Sequence, residues 1–221
     1  MVRRAPLFKA LDDEAASALL SEMSRSHMER GDVLFHEGDA GDKLYIVLDG
    51  KVKLGRTSSD GRENLLAILG PGQMFGELSL FDPGPRSATV TAVTDATFAS
   101  LSHEDLLRWL EGRPMVARGL LSQLAGRLRK ANDVVADLVF SDVPGRVAKA
   151  LLDLADRFGR TADDGVHVHH DLTQEELAQL VGASRETVNK ALADFASRGW
   201  LRLEPRSVVI MDVERLSRRA R

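Results

Sequence analysis

A long segment without an internal proline constrains the fold of this chain more than any other feature. After Pro114 the small and apolar residues recur at alternating spacings of four and three, namely Ala117, Leu121, Leu124, Leu128, Ala131, Val135 and Leu138. About three heptads of this a/d pattern predict one helix that pairs with a second copy in a parallel coiled coil. The alternative is a helix packed on its own domain, because a core-facing stripe has nearly the same spacing.

Composition and charge favour two unequal domains around this helix. The 221 residues are 43 % hydrophobic, and the absence of cysteine excludes disulfides, thiolate zinc sites and cysteine-ligated iron–sulfur clusters. Residues 1–111 contain 12 Lys/Arg against 18 Asp/Glu, whereas residues 112–221 contain 18 against 15. Only the second half therefore has a charge suited to a polyanion. Without a signal core or a membrane-length apolar run, we expect a cytoplasmic protein that binds no membrane.

The first half has the pattern of a β-rich domain. Strand-length apolar runs, cut by glycines, lie at Asp32–Phe35, Lys43–Leu48, Val52–Leu54 and Leu65–Leu69. The pair Asp60-Gly61 is a strong hairpin turn. We predict an antiparallel sandwich or barrel, preceded by a helix near Asp12 to Ser24.

A short segment after the long helix predicts a hinge. In Ser141–Gly145, Asp142 or Ser141 can cap a new helix, and Pro144 is tolerated in its first turn. This helix should run to about Phe158, and a polar loop should follow from Gly159 to Gly165. The predicted divisions are a domain over residues 1–112, a helix over 113–140 and a second domain over 141–221.

The second domain contains a helix-turn-helix pattern. Thr173 and Glu176 fit a capping box, Gly182-Ala183-Ser184 a tight turn, and Arg185–Phe195 a second helix. Residues 199–210 resemble a two-stranded wing. The alternative is an αα-hairpin with a solvated charged face.

The second helix of such a motif enters the major groove of DNA. Arg185 can pair with guanine, Glu186 can accept from cytosine, and Lys190 reaches the same face. Short polar groups suited to phosphate contacts are Thr173, Gln174, Ser184 and Thr187. The apolar Val188, Ala191 and Leu192 should face inward.

Two charged residues interrupt an apolar stretch of the first domain. Glu77 and Arg86 would be costly in its interior unless each met a partner. A ribose phosphate satisfies both, because the carboxylate accepts from a hydroxyl and the guanidinium binds the anion. Ser87 adds a hydroxyl donor. An internal Glu77–Arg86 salt bridge without any ligand is the alternative.

At these residues the chain resembles the CRP/FNR family of transcriptional regulators, in particular its actinobacterial branch. The resemblance extends from about Leu7 to Arg219. Its most specific segments are Gly38–Tyr45, Gly50–Val52, Gly76–Ser79, Arg86–Ala88, Asp142–Ala148 and Ser184–Val188, and the actinobacterial ones are Asp60–Leu66, Phe81–Arg86 and Leu172–Gly182.

The resemblance implies an α+β fold, with an N-terminal cyclic-nucleotide-binding β-barrel of the jelly-roll type, a dimerisation helix and a C-terminal winged helix-turn-helix. It implies cyclic AMP as the allosteric ligand, with cyclic GMP or no ligand as alternatives. Binding groups would be the backbones of Gly76 and Leu78, Glu77 on the ribose, Arg86 and Ser87 on the phosphate, and the neighbouring Ser79.

The resemblance is incomplete where adenine would lie against the long helix. Members that respond to cyclic AMP usually have Thr followed by Ser or Asn there, whereas this chain has Ala131-Asn132. Asn132 can still pair with the base, and Arg127 lies one turn earlier. The lost hydroxyl contact should cost about 1 kcal/mol, which lowers affinity or base selectivity.

For the second domain, the resemblance implies a homodimer joined through the 113–140 helix and bound to double-stranded DNA. Its operator would be a palindrome similar to TGTGA with an inverted TCACA. The loop from Gly159 to Gly165 would touch RNA polymerase, and the ligand would shift the population between two dimer states.

Other function classes remain open. His167, His169 and His170 with Asp171 could form a metal or enzyme site, although no activated nucleophile accompanies them. A constitutive regulator with a degenerate nucleotide site is the other alternative. A haem or iron–sulfur sensor is disfavoured because the cluster ligands are absent and Glu77 and Arg86 suit phosphate.

Overall fold

The computed structural model describes residues 19–81, 84–111 and 113–220. These residues form two compact units. The first comprises the described residues up to Thr57 together with Leu66–Lys130, and the second comprises Ser58–Leu65 and the described residues from Ala131 onward. Nowhere in the described ranges is a helix both long and apolar enough to cross a membrane. The three-part division at 112/113 and 140/141 stays a prediction.

The first unit is built on two four-stranded sheets. The strands of these sheets are β1 (Ser24–Met28), β2 (Val33–Phe35), β3 (Lys43–Asp49), β4 (Val52–Thr57), β5 (Glu63–Leu69), β6 (Met74–Phe75), β7 (Thr89–Ala92) and β8 (Ala96–Ser102). The division into units falls within β5, after Leu65. The sheet orders are β1-β8-β3-β6 and β2-β7-β4-β5. Two sheets rather than one closed barrel are the arrangement of a jelly roll, which confirms the predicted fold.

Strand β3 separates two apolar cores because its side chains alternate between the faces of the sheet. Leu44 and Ile46 join a cluster with Leu106 and Trp109 of helix α2 (His103–Leu110). Val47, on the opposite face, joins the cluster between the two sheets. A short helix, α1 (Leu78–Phe81), follows β6. This position puts α1 directly after Glu77.

The predicted strands are confirmed with small shifts at their ends. The Asp60-Gly61 turn lies between β4 and β5, and Gly61 has a φ of 81° that favours glycine. Most of the helix predicted near Asp12 to Ser24 lies outside the described residues. Its described part is helical over residues 19–22, but Ser24 already belongs to β1.

The long helix agrees with its sequence pattern. Helix α3 spans Pro114–Phe140, two residues beyond the last seam position. Helix α4 (Val143–Phe158) follows, with Pro144 in its first turn. Asp142 caps α4, since its side chain accepts a hydrogen bond from the backbone N–H of Gly145 at 2.9 Å. The predicted hinge cap is therefore confirmed.

The second unit continues with β9 (Gly159–Ala162), β10 (Gly165–His169), α5 (Gln174–Val181), α6 (Arg185–Ser197), β11 (Leu201–Glu204), β12 (Ser207–Ile210) and α7 (Val213–Arg219). Its strands form one sheet in the order β11-β12-β10-β9. The predicted wing is the β11–β12 hairpin.

The polar loop predicted from Gly159 to Gly165 is wrong in part. Residues 159–162 form β9, paired antiparallel with β10 in a register that places Gly165 opposite Ala162. The segment lacks an apolar alternation because β9 is an edge strand with mostly exposed side chains. Sequence periodicity detects buried faces, so it could not detect this strand.

Candidate nucleotide site and DNA interface

Glu77 is a buried carboxylate of which one oxygen, among the described residues, has a hydrogen-bond partner and the other has none. It lies between β6 and α1 and is 1 % exposed. Its Oε1 accepts a hydrogen bond from Nη1 of Arg127, whose Nη2 donates to the carbonyl of Met74. Its Oε2 is buried and has no hydrogen-bond partner among the described residues. The carboxylate therefore has capacity for a further donor.

Arg86 is a buried cation held from one side. Its side chain is buried, and Nη1 donates to the carbonyls of Lys43 and Gly76, each at 2.9 Å. Its Nε is buried without a partner in the described part of the chain. The predicted alternative of a Glu77–Arg86 salt bridge is not what the structure has, because Glu77 pairs with Arg127.

Two glycines allow the backbone to approach these groups. A Cβ on Gly76, whose φ is 80°, would lie 2.8 Å from Arg86 Nη1 and 3.0 Å from the Lys43 carbonyl. A Cβ on Gly41 would lie 2.9 Å from Arg86 Nε and would collide with Ser79 Oγ. Gly76 is thus restricted to glycine by close approach and by its positive φ, and Gly41 by close approach alone.

This donor and acceptor set fits a cyclic nucleotide. Glu77 and Arg127 neutralise each other, so Arg86 remains a buried positive charge without a carboxylate partner in the described structure. A buried cation of this kind favours a small anion. The free carboxylate oxygen favours a hydroxyl donor on the same molecule. A ribose joined to a singly charged phosphodiester carries both groups.

For the remaining predicted ligand contacts, the structure gives positions and exposure. Leu78 and Ser87 are exposed, and Ser79 is half-buried. Ala131 and Asn132 are exposed on α3, one turn and slightly more beyond Arg127. Their roles in binding a base stay predictions.

Burial and the Arg86 cation have opposite effects on the pKa of Tyr45. Burial raises the pKa of Tyr45, while the Arg86 guanidinium lowers that pKa by a smaller amount. Tyr45 also stacks on Phe75, with ring centroids 5.3 Å apart. The wall behind Arg86 is therefore aromatic and neutral.

The helix-turn-helix has the predicted geometry. Thr173 and Glu176 form the capping box that begins α5. Gly182 ends this helix with a φ of 69°, and Ser184 caps α6 by accepting from the backbone N–H of Thr187 at 3.2 Å. The motif's inward residues are buried as predicted, namely Val188, Ala191 and Leu192.

The side chains predicted to read DNA lie on the exposed face of α6. Arg185 is exposed, and Lys190 Nζ lies 2.6 Å from Glu186 Oε1. This ion pair is about three-quarters exposed on both sides, so it is weak and can exchange for base contacts. Thr173, Gln174, Ser184 and Thr187 are also exposed.

The sequence did not reveal the role of Arg146 in α4. Its guanidinium donates to the carbonyls of Ser141, at 2.8 Å, and of Val181 and Gly182, at 3.1 and 3.2 Å. Because these last carbonyls end α5, Arg146 joins the hinge to the turn of the helix-turn-helix. Only the position of an arginine in the first turns of α4 could have suggested it.

The histidines do not gather around a common point. His167 Nε2 lies 2.6 Å from Asp164 Oδ1, His169 is exposed, and the buried His170 accepts from the Leu172 N–H at 3.1 Å. Over the described ranges, no group of three or more His, Asp or Glu side chains could hold a metal ion.

Fold and sites together define a transcription regulator in which a nucleotide-binding domain is joined to a helix-turn-helix DNA-binding domain. Residues 25–113 match the cyclic nucleotide-binding domain family, and residues 145–219 match the Crp-like helix-turn-helix domain family. The chain is 55 % identical over 221 residues to the "CRP-like cAMP-activated global transcriptional regulator" of Mycobacterium tuberculosis, covering 100 % of this chain and 99 % of that protein. It therefore belongs to the CRP/FNR family, a family of regulators and not of enzymes.

Similarity to proteins of Thermus thermophilus supports the same assignment. The "Cyclic AMP receptor protein" of that organism is 40 % identical over 211 residues, covering 96 % of this chain and 94 % of its own length. The crystal structure of the Thermus thermophilus catabolite activator protein is 40 % identical, with a TM-score of 0.58 over 98 % of each chain.

Proposed function

We propose that this protein is a cyclic-AMP-responsive, dimeric transcription regulator that binds a palindromic operator in the cytoplasm. The observation that carries the ligand is the pair of buried, unbonded atoms Glu77 Oε2 and Arg86 Nε in the described site. Each requires a partner of opposite hydrogen-bonding character. A cyclic nucleotide provides a hydroxyl for the first and a phosphate oxygen for the second.

The ligand contacts follow from this pairing. Glu77 accepts from the ribose 2′-hydroxyl, while Arg86 and Ser87 bind the phosphate. Gly76, Leu78 and Ser79 contribute backbone and hydroxyl groups around the α1 end of the site. Arg127 and Asn132 lie on α3 for the base side, where Ala131 lacks the hydroxyl that cyclic-AMP-responsive relatives usually have.

A second copy of the chain is the proposed partner of α3. Four of the apolar seam residues are more than half exposed in the single chain, namely Leu121, Leu128, Val135 and Leu138. An exposed apolar stripe of heptad spacing is stable in water only when another surface covers it. Parallel pairing of two α3 helices would cover it along the 113–140 segment.

The operator contacts belong to α5 and α6. Arg185 would pair with a guanine and Glu186 would accept from a cytosine, with Lys190 on the same face. Thr173, Gln174, Ser184 and Thr187 would bind phosphates and fix the register. Two such helix-turn-helix motifs related by a two-fold axis match a palindrome similar to TGTGA with an inverted TCACA.

RNA polymerase is the proposed further partner, through the β9–β10 hairpin. Its exposed side chains lie away from the base-reading residues in sequence and belong to an edge strand. Alanine substitutions at residues 160, 161, 163 and 164 should lower transcription from an activated promoter and leave operator affinity unchanged. An unchanged transcript level in such variants would exclude this contact.

Calorimetric titration of cyclic AMP and cyclic GMP into the purified dimer tests the ligand assignment. Arg86→Ala should abolish saturable binding, because it removes the only charge proposed for the phosphate. Arg56→Ala is the matched control, since this arginine lies in the same domain but is exposed and pairs with Glu37. Wild-type protein that binds neither nucleotide would contradict the proposal.

Operator binding with and without ligand tests the response. Cyclic AMP should raise the affinity for the palindrome, because a ligand that binds one of two dimer states more tightly shifts the population towards that state, and the two sites are thereby coupled. Equal affinity in its presence and absence would favour the alternative, a constitutive regulator with a degenerate nucleotide site.

A further inference from the structure

We infer that Phe35 is a positioning residue for phosphate recognition, because its ring fixes the plane of the Arg86 guanidinium. The inference rests on the proposed function and assigns to that site a residue that does not touch the ligand. Phe35 lies on β2 and is half-buried.

The backbone of Arg86 is already fixed before its side chain is considered. The N–H of Arg86 donates to the carbonyl of Asp39 at 2.7 Å, and the carbonyl of Arg86 accepts from the N–H of Gly38 at 2.9 Å. This pair of bonds joins the segment before β7 to the loop after β2. The starting point of the side chain is therefore constant.

Among the described residues, carbonyl groups contact the guanidinium at one nitrogen. Both hydrogen bonds, to Lys43 and Gly76, are made by Nη1. A planar group that is attached to its side chain through Nε and hydrogen-bonded at Nη1 can still tilt about the line that joins these two atoms. The edge formed by Nε and Nη2 suits bidentate binding of an anion. On this edge, Nε has no hydrogen-bond acceptor among the described residues.

The ring of Phe35 supplies the missing constraint. Arg86 Cζ lies 4.3 Å from the centroid of the Phe35 ring and 5.7 Å from that of Tyr45. A guanidinium stacked on an aromatic face is attracted by the ring quadrupole and prefers to lie flat on it. Contact with Phe35 therefore limits rotation out of the plane, which the carbonyls do not.

Two further rings pack against the Phe35 ring and restrict its movement away from Arg86. Its centroid lies 5.9 Å from that of Tyr45 and 6.2 Å from that of Phe75, both in tilted arrangements. The rings of Tyr45 and Phe75 stack on each other. The rings of Phe35, Tyr45 and Phe75 therefore form an aromatic surface on which the Arg86 guanidinium packs.

This aromatic surface matters because Arg86 is buried without a carboxylate partner in the described structure. The face of an aromatic ring favours a cation without neutralising it. A neighbouring carboxylate would instead compete with the incoming phosphate. Phe35 thus keeps Arg86 both oriented and available, with Nε beside Gly41 and Ser79.

Two substitutions at position 35 distinguish the effect of the aromatic ring on cyclic AMP affinity from the effect of side-chain volume. Phe35→Leu should weaken cyclic AMP binding about fivefold to tenfold, whereas Phe35→Tyr, which keeps a ring, should stay within about twofold of the wild type. Adenosine lacks the phosphate, so its affinity, measured by competition, should be the same in all three proteins. This ratio of affinities is a readout that a general loss of packing would not change.

Phe98→Leu is the matched control. Phe98 packs edge-on against Phe75 with a centroid distance of 5.8 Å, and the structure shows no cation on its ring among the described contacts. Its substitution should lower the melting temperature and leave the cyclic AMP to adenosine ratio unchanged. A Phe35→Leu variant that loses affinity for both ligands equally, or for neither, would overturn the inference.

A measurement without ligand separates this inference from the proposed function. The Nε–H resonance of Arg86, assigned by its loss in Arg86→Lys, should be shifted by the ring current in wild-type protein and should move in Phe35→Leu. If the shift is present but cyclic AMP does not bind, the proposed ligand is wrong and the ring contact stands. If the resonance is the same in both proteins, Phe35 does not position Arg86.

Discussion

Glu77 and Arg127 join the nucleotide site of the first unit to the long helix. One carboxylate oxygen of Glu77 accepts from the Arg127 guanidinium, which also donates to the carbonyl of Met74. The strand that leads into the site is thus bonded to the α3 side chain that lies one turn before Ala131. Any ligand that engages Glu77 must act on a group that α3 already holds.

Removing Arg127 should destabilise the ligand-free protein. Arg127→Leu leaves a buried carboxylate without its cation, and we expect the free energy of unfolding in urea at pH 7 to fall by about 2 kcal/mol. This value is below that of fully buried pairs because Arg127 is 38 % exposed. Adding Glu77→Gln should recover part of the loss. Arg118→Leu, an exposed arginine earlier on α3, should change stability by less than about 0.5 kcal/mol.

Restoring a hydroxyl at position 131 should improve the nucleotide site. Ala131→Thr is expected to raise cyclic AMP affinity by about fivefold, because one hydrogen bond contributes about 1 kcal/mol. Ala131→Val has the same shape without the hydroxyl and should give no gain. Calorimetry on both variants, with cyclic GMP as the comparison nucleotide, measures the effect. Equal gains in Thr and Val would show that packing, not hydrogen bonding, limits affinity.

Asp164 should titrate at unusually low pH. Hydrogen bonds from His167 and then Arg202 lower its pKa from 3.8 to about 2. A carboxylate whose folded pKa is depressed stabilises the native state above the unfolded pKa, and this stabilisation is lost as pH falls from 3.8 towards 2. Carbon-detected NMR titration of the Asp164 carboxyl measures the pKa directly. Arg202→Ala should move the pKa upward, and an unchanged pKa would show that Arg202 does not contribute.

The wing turn contains a non-glycine residue in the left-handed region. Arg206 has a φ of 57° in the two-residue turn between β11 and β12. The other residue of this turn is Pro205, whose ring excludes a positive φ. Arg206→Gly should raise the free energy of unfolding by about 0.5–1 kcal/mol by relieving this strain. Arg206→Ala keeps the Cβ and should give no gain. Thermal unfolding of the two variants compares them, and equal stability would contradict the argument.

Where the sequence carried a strong local signal, the structure agrees with it. The heptad spacing predicted α3, the hinge residues predicted the Asp142 cap, and Thr173 with Glu176 predicted the start of α5. Each of these features is encoded within a few residues. Local hydrogen bonding and periodicity therefore decide them without reference to distant contacts.

The parts that the sequence could not predict depend on contacts between distant residues. The alternative partner expected for Glu77 within the chain was Arg86, but the residue that binds its Oε1 is Arg127, 50 positions along the chain. The contact of the Arg86 guanidinium with the Phe35 ring, 4.3 Å from Cζ to the ring centroid, spans a similar separation along the chain. The edge strand β9 was missed for a different reason, since a strand with exposed side chains has no apolar alternation.

The guanidinium of Arg86, which has no carboxylate partner among the described residues, affects how long the protein persists in the cell. A domain that keeps a lone cation inside is less stable empty than filled, and a ligand at about 100 times its dissociation constant adds about 2.7 kcal/mol to the folded state. Proteases remove the transiently open form of a protein, so the empty regulator is the form that they degrade faster. We therefore expect the nucleotide concentration to set the abundance of this regulator as well as its occupancy of DNA.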